Sequence, residues 1–384
     1  MEKITESTTT IEAEVKDVVD KKMEIFYNPV MKLNRDISVL LLLSFQGSER
    51  RPMSIALPLA GSGIRGLRFL KELPQEMIKE IHINDKKEGY TEYLNKMLVM
   101  NKCQTEKVFI HNKDASIFLI ENKPFDYIDI DPFGTPNPFL DSAVRSLRSD
   151  GILAVTATDT SALCGTYPYA CQRKYWAKPL RNELMHEIGL RILIRKVQLM
   201  GTNQQRALTP ILSYSKDHYM RVFFRFDKGK KCMDRILSQH GMYSPDDEQN
   251  TERSKQGSDS QTAESYGPMW LGELNEIETL KKINAIEQNN ECISKRTIKL
   301  IDTLIEETKI NSFGFIDIHN LSKNNTEEIP KFEHIISLLR KKGFLAARTH
   351  FRNTAIKTNA KKSDVEKILK QKDLTKYISQ YKPD

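Results

Sequence analysis

Cysteine is scarce: the 384 residues hold five, at 103, 164, 171, 232 and 292. The count is odd and no pair is spaced C-x-x-C, which argues against a disulfide framework and against a four-cysteine zinc site. Reduced thiols that mostly pack are expected. No run of about eighteen apolar residues occurs, so no membrane-spanning helix is expected. The first residues are polar and acidic rather than apolar like a secretory signal, and a soluble, cytoplasmic chain follows. Charge is unbalanced, with 59 Lys and Arg against 51 Asp and Glu. Residues 331–384 alone hold fourteen Lys/Arg and five Asp/Glu, so this tail carries the whole excess. A basic segment suits a polyanionic partner, and can also merely solubilise.

Residues 124–140 organise the rest. Tyr127, Ile128 and Ile130 make a short apolar strand threaded by Asp126 and Asp129, and it stops at Asp131-Pro132-Phe133-Gly134. Pro132 has no N–H for a ladder and biases Asp131 towards extended geometry, which puts this carboxylate at the carboxyl edge of a sheet. Ligands of open α/β sheets bind at that edge. An Asp, a Pro and an aromatic there can cradle a planar amine, the carboxylate and nearby carbonyls accepting its N–H hydrogens while the ring stacks. The competing role for Asp131 is an N-cap of a helix starting near Pro138.

Strands over 53–60, 80–84, 108–111 and 151–157 alternate with helices over 67–73, 87–101, 116–121 and 138–147, and an antiparallel pair follows over 205–214 and 218–226. This alternation predicts a doubly wound parallel sheet. Gly61-Ser62-Gly63-Ile64-Arg65-Gly66 matches G-x-G-x-x-G between strand and helix, and fits a dinucleotide or the nucleoside of S-adenosyl-L-methionine equally well. Asp85, twenty-two residues after Gly63, is placed to take two ribose hydroxyls. Asp114 could hold an adenine amino group with the Ala115 N–H on a ring nitrogen, or cap the helix over 116–121. Upstream, Phe26-Tyr27-Asn28-Pro29 and Asn34-Arg35-Asp36 lead into an apolar helix over 37–45. A basic helix is expected around Arg173, Lys174 and Arg181. Cys164 could act as a nucleophile with His186 or His218 as base, although a buried spacer is the better reading.

The ends differ from this middle. Residues 1–22 are polar, with alternation from Thr8 to Val15, and read as a fraying start with a small hairpin. Residues 243–265 are almost wholly polar and mark a boundary. Helices over 274–287, 294–307 and 332–342 precede a hairpin over 344–357, broken at Arg352-Asn353, in the manner of a winged helix. The division expected is a catalytic domain over 1–230 with 1–22 as a polar extension, a linker over 231–265, and a smaller basic α+β domain over 266–384.

Together these residues resemble the tRNA (guanine(26)-N2)-dimethyltransferase family. The likeness rests on Phe26-Tyr27-Asn28-Pro29 with Asn34-Arg35-Asp36, Gly63-Ile64-Arg65-Gly66, Asp129-Ile130-Asp131-Pro132-Phe133-Gly134 with Phe139-Leu140-Asp141, Thr156-Ala157-Thr158-Asp159, Tyr266-Gly267-Pro268-Met269-Trp270, and Thr349-His350-Phe351 with Ile356-Lys357-Thr358. It implies a class I, Rossmann-like methyltransferase domain of archaeal type, S-adenosyl-L-methionine as donor and tRNA as partner. It implies Arg35, Gly61, Gly63, Arg65, Asp85, Asp114 and Ala115 around the donor, with Arg35 and Arg65 on the methionine carboxylate. Asp131 is implied to engage the guanine amine, with Phe26 and Phe133 clamping the base. Some relatives carry paired cysteines for zinc between their domains; only Cys232 stands there in this chain, so no metal is expected. Other readings are a methyltransferase for another base amine or a protein amide, a nicotinamide-dependent dehydrogenase, and a non-catalytic RNA-binding module.

Overall fold

The computed structural model describes residues 1–14, 25–45, 51–122, 124–245, 264–287, 290–322 and 330–369. It begins with an antiparallel hairpin, β1 (Glu2–Glu6) and β2 (Thr9–Ala13). Alternation turns Thr9, Ile11 and Ala13 inward. The expected hairpin is present, but it is tied down rather than frayed, because the buried Glu6 is paired with Arg35 and Arg68.

Beyond α1 (Lys32–Leu43), five strands alternate with helices: β3 (Met53–Leu57), α2 (Ile64–Glu72), β4 (Ile78–Asn84), α3 (Tyr90–Met100), β5 (Val108–His111), α4 (Ala115–Asn122), β6 (Phe125–Ile130), α5 (Asn137–Ser146) and β7 (Leu147–Ala157). Then come β8 (Ala207–Lys216) and β9 (Tyr219–Asp227). The seven strands lie in the order β5-β4-β3-β6-β7-β9-β8, parallel from β5 to β7, with β9 antiparallel to both neighbours. Helices cover both faces, which is why all of β3 is buried and apolar apart from Ser54, whose hydroxyl donates to Glu80 at 2.5 Å. The chain runs outward from β3 through β4 to β5 and then returns to β6 beside β3. Strand order therefore reverses between β3 and β6, and their carboxyl ends open a crevice.

Two features differ from the expectation. The basic helix ends early: Pro168–Tyr175 holds Arg173 and Lys174, Trp176 closes it with a left-handed backbone (φ 57), and Arg181 lies beyond. A nineteen-residue helix, Met185–Asn203, follows, in a stretch where the sequence reading placed no element. Its Ile188, Leu190, Ile192, Leu193, Ile194 and Val197 are buried, so it serves as a cover for the sheet.

The span expected as a linker opens with helix Lys230–Leu237 and strand His240–Tyr243, which pairs with Tyr266–Trp270. The polar loop over 246–263 lies outside the described residues. Helix Ile277–Glu287 precedes Lys295–Thr308, which is capped by Ser294 accepting from the Thr297 N–H. The hairpin expected over 344–357 is present as Ala346–Arg348 and Ala355–Thr358, with Ile316–Asp317 as a third strand on the other side of Ala355–Thr358. Helix Phe332–Lys341 and helix Lys362–Leu369 pack on it around Ile318, Ile335, Leu339, Ile356 and Val365. Residues 370–384 of the basic tail are outside the described residues.

Buried charges hold the hairpin to the rest. Glu307 accepts from His350 Nδ1 at 2.6 Å and from Thr349 Oγ1 at 2.8 Å, and Lys357 Nζ lies 3.6 Å from Glu187 and 4.0 Å from Glu307. Burial pushes the Glu307 carboxyl up, but His350, Lys357 and Thr349 outweigh it and hold the group at about 2. Glu6 follows the same pattern, with Arg35 and Arg68 bringing it to about 2 from 4.5. Carboxyls depressed in the fold stabilise it fully above their unfolded value and cease to do so as pH falls through the folded value. The urea midpoint is therefore expected to fall steeply between pH 4.5 and about 2; a flat profile over that window would show that these pairs contribute nothing.

Candidate active site

The turn after β3 is built for close approach. Gly61 (φ 56) and Gly63 (φ 70) have left-handed backbones, and a Cβ on Gly63 would sit 2.6 Å from Leu94 Cδ1. Asp85, just past β4, closes the turn from the side: its Oδ2 accepts from the Gly61 N–H at 2.8 Å and its Oδ1 from the Lys87 N–H at 3.1 Å. Phe26 closes it from above, its carbonyl accepting from the Ser62 N–H at 3.0 Å. Between this turn and the end of β6 is a cavity of about 580 Å³, lined among others by Phe26, Arg35, Gly61, Arg65, Asp85, Asp131 and Phe133. That volume lies within the range of small-molecule sites.

Asp131 faces this cavity. Its side chain is 19% exposed and its Oδ2 is paired with Arg65 Nη2. The capping alternative does not hold, because α5 begins at Asn137 with Pro136 at its N-cap position and no side-chain cap. The following loop is pinned where Gly134 N donates to Thr158 Oγ1 at 2.6 Å and Thr158 N to the Gly134 carbonyl at 2.9 Å.

Arg65, implied at the methionine carboxylate, lines the cavity but is engaged with the protein. Beyond Asp131, its Nη1 donates to Ser38 Oγ at 2.7 Å and Asn34 Oδ1 at 3.1 Å, and lies 3.4 Å from Asp129 Oδ2. Asp129 is buried and held by both Arg221 nitrogens at 2.8 and 2.7 Å and by the Tyr127 hydroxyl at 2.6 Å. Burial pushes its carboxyl up, and Arg221 and Arg65 turn the balance downward. Arg35 is likewise committed: Nε donates to Glu6 Oε1 at 2.7 Å, and Nη2 to Glu6 Oε2 and, at 3.0 Å, to the Asn28 carbonyl.

Phe26 and Phe133 meet at the mouth, centroids 4.2 Å apart and edge to face. Asp114 is exposed and caps α4, accepting from Ser116 N at 2.9 Å and Ile117 N at 3.3 Å. Neither it nor Ala115 is among the residues lining the cavity. The segment does reach Asp85, whose carbonyl accepts from Asn112 Nδ2 at 2.6 Å.

Several residues of the site escaped the sequence reading. Glu6, Asn34, Asp129, Thr158 and Arg221 were not singled out for it, and His218 was considered only as a base for Cys164; Thr158 and His218 line the cavity. A signal existed for two of them: an arginine inside Met220-Arg221-Val222 and an aspartate inside Ile128-Asp129-Ile130 are charges in buried strands, and such charges need each other.

Cys164 Sγ lies 3.5 Å from His186 Nδ1 and away from the cavity lining. Burial pushes its thiol up to about 12, the opposite of an activated nucleophile. Cys164→Ala is expected to leave turnover unchanged in a methyl-transfer assay, and loss of turnover would reopen the nucleophile role. Among the described residues no three His, Cys, Asp or Glu side chains cluster to hold a metal, and no helix is long and apolar enough to cross a membrane.

Comparison with known proteins adds identity to this geometry. The family model described as N2,N2-dimethylguanosine tRNA methyltransferase matches residues 5–370. The tRNA (guanine(26)-N(2))-dimethyltransferase of Methanobrevibacter smithii is 38% identical over 379 residues, 96% of each chain. The tRNA (guanine(26)-N(2)/guanine(27)-N(2))-dimethyltransferase of Aquifex aeolicus is 34% identical over 369 residues, 93% of each chain. Trm1 from Pyrococcus horikoshii, solved in complex with S-adenosyl-L-methionine, superposes with a TM-score of 0.83 at 34% identity, over 97% of this chain and 100% of that one. With the glycine turn, the acid beside it and the Asp-Pro-Phe-Gly strand end all at one crevice, this chain belongs to the N2,N2-dimethylguanosine tRNA methyltransferase family.

Proposed function

We propose that the chain methylates the exocyclic N2 of guanosine 26 in tRNA, once or twice, with S-adenosyl-L-methionine as donor. The observation that carries this reading is the Asp131 carboxylate, held by Arg65 and lining the same cavity as Gly61 and Asp85. The residues present fit the donor: Gly61 and Gly63 leave room for close approach, and Asp85 is a fixed carboxylate for the ribose hydroxyls. Arg35 and Arg65 remain the candidates for its carboxylate, each sharing its guanidinium with a protein acid. Asp114 and Ala115 are proposed at the adenine end. When bound, the donor supplies an electrophilic sulfonium methyl group.

The protein supplies orientation. The N2 lone pair of guanine is delocalised into the ring and is a poor nucleophile. With Oδ2 of Asp131 on Arg65, Oδ1 is the oxygen to accept an N–H of the amine, and a neighbouring carbonyl takes the other. This turns the lone pair towards the methyl group, and alignment of this kind is worth an effective molarity of roughly 10⁵ M or more. The displaced proton passes to the Asp131 carboxylate or through it to water. After one transfer the nitrogen keeps one N–H for Asp131 and its methyl group takes the place of the other, so a second round keeps the Asp131 contact and needs a pocket that tolerates a methyl group beside the carbonyl.

A guanine in a tRNA helix must be extruded, at a cost of a few kcal/mol. Phe26 and Phe133 at 4.2 Å do not enclose a ring; a sandwich needs roughly 7 Å, two contact distances of about 3.5 Å. The base either stacks on Phe133, which is 47% exposed, or parts the pair. We propose residues 266–384 as the basic tRNA-binding domain, joined through 231–265 to the catalytic domain over 1–230. The order helix, strand, helix, helix, strand, strand from Lys295 to Thr358, with Ala355–Thr358 central, supports a winged-helix reading of that part. Five free thiols suit a cytoplasmic setting.

The test is nucleoside mass analysis after incubation with an unmodified tRNA transcript and the donor. Methylated N2-guanosine is expected, and none from a transcript with adenosine at position 26; methylated adenosine, or no product, would overturn the reading. For the donor site, Asp85→Ala is expected to raise the S-adenosyl-L-methionine dissociation constant about tenfold or more, the loss of a charge-assisted hydrogen bond and of the Gly61 tether. An unaltered constant in calorimetry would remove the ribose assignment.

A further inference from the structure

Three large aromatic side chains stand in solvent around one short helix. Tyr167 is 62% exposed, Tyr169 73% and Trp176 52%. Tyr167 and Trp176 flank Pro168–Tyr175, Trp176 with Lys196 Nζ 3.0 Å from its ring centroid; the helix buries Cys171 and Tyr175, four residues apart, and turns Tyr169 and Arg173, also four apart, outward. The helix has no acidic residue, carries Arg173 and Lys174 in its last turn, and is followed by exposed Arg181. Lys174 lies 3.2 Å from Asp159, which leaves Arg173 as its main free cation.

This surface is bolted to the active site. The Tyr175 hydroxyl donates to Asp159 Oδ1 at 2.6 Å and lies 3.0 Å from Thr135 Oγ1, and Asn137 Nδ2 donates to the Lys174 carbonyl at 2.8 Å. Thr135 belongs to the loop that runs on from Asp131 and Asn137 opens α5 at its end, and Asp159 directly follows Thr158, a residue of the cavity wall. The helix is therefore hydrogen-bonded to the segments on either side of the strand end.

We infer that this helix face is an RNA contact in its own right, separate from the basic C-terminal region. Unpaired nucleotides next to the target guanosine stack on Tyr167 and Tyr169 while Arg173 meets a phosphate. Two exposed tyrosines two residues apart, with an exposed arginine on the same helix face as the second, supply the stacking and phosphate contacts that a single-stranded nucleic acid takes. Every base has a π face, so stacking tolerates any flanking sequence, and the absence of acids on the helix suits a polyanion. Extrusion of the target guanine frees its neighbours to be held in this way. The inference rests on the tRNA substrate.

The experiment uses the full chain and unmodified tRNA. Tyr167→Ala with Tyr169→Ala is expected to raise KM for tRNA about tenfold or more, with KM for S-adenosyl-L-methionine and kcat at saturating tRNA unchanged. The corresponding pair of phenylalanines, which keep the rings, is expected to restore KM. Arg173→Ala is expected to reduce the slope of log affinity against log salt by about one. A tRNA KM unchanged in both the tyrosine and the arginine variants, as a protein-docking face would give, overturns the inference, as does a loss that phenylalanine does not recover. If the parent chain methylates tRNA while these variants match it, this surface falls and the proposed activity stands. If the parent chain gives no N2-methylguanosine, the activity falls and this inference with it.

Discussion

Alanine at position 131 is expected to lower kcat for methyl transfer to unmodified tRNA by about 10³-fold, the middle of the range for a positioned proton acceptor. The dissociation constant for S-adenosyl-L-methionine should not change. The effect is expected on chemistry and not on folding, because Arg65 keeps its other partners: Ser38 at 2.7 Å, Asn34 at 3.1 Å and Asp129 at 3.4 Å. Asparagine at 131 retains one accepting oxygen and is expected to fall between the two. Single-turnover kinetics alongside donor calorimetry would decide; near-normal turnover in the alanine variant would remove Asp131 from the mechanism.

The second large effect concerns stability. Arg221→Met leaves the buried Asp129 without its two-pronged partner and is expected to destabilise the fold by about 3–5 kcal/mol in urea unfolding at neutral pH. Asp129 is depressed in the fold, so the stabilisation it carries is present above its unfolded value of 3.8 and is lost as pH falls through the folded value. The difference between variant and parent should therefore narrow in acid, where a protonated Asp129 no longer needs a cation. Adding Asp129→Leu should recover part of the loss, since an apolar pair replaces a broken ionic one. A single variant as stable as the parent would show that Arg65 and Tyr127 suffice for Asp129. Turnover should fall as well, because Asp129 shares Arg65 with Asp131.

The central sheet was legible because short strand-like runs rich in Ile, Val and Leu recur, and helices fill the gaps between them. The site was legible where chemistry is local in sequence, as in the glycine turn, Asp85 and the Asp-Pro-Phe-Gly strand end. What could not be read were partners far apart along the chain. Glu6 meets Arg35 only because the first hairpin folds back onto α2 and α3, and Asp129 meets Arg221 across a sheet whose order the sequence does not spell out. Arg65 was read for the donor alone because the acid that it also meets, just past β6, lies 66 positions on. Helix Met185–Asn203 escaped because Gly189 and Gly201 interrupt it and its Ile-rich middle suits a strand as well as a helix. Its glycines instead allow close packing: a Cβ at Gly189 would lie 2.7 Å from Met220 Cε.

Asp36 touches two regions at once. Its carboxylate takes Arg68 of α2 at 2.7 Å and, from the other half of the chain, the Ser294 N–H at 3.1 Å and the Thr297 hydroxyl at 2.9 Å. The helix that springs from the glycine turn and helix Lys295–Thr308 thus share one rivet. On the proposed assignment of the tRNA to the distal half, this shared carboxylate links that half to the helix beneath the methyl donor, and each substrate is expected to alter the affinity of the other.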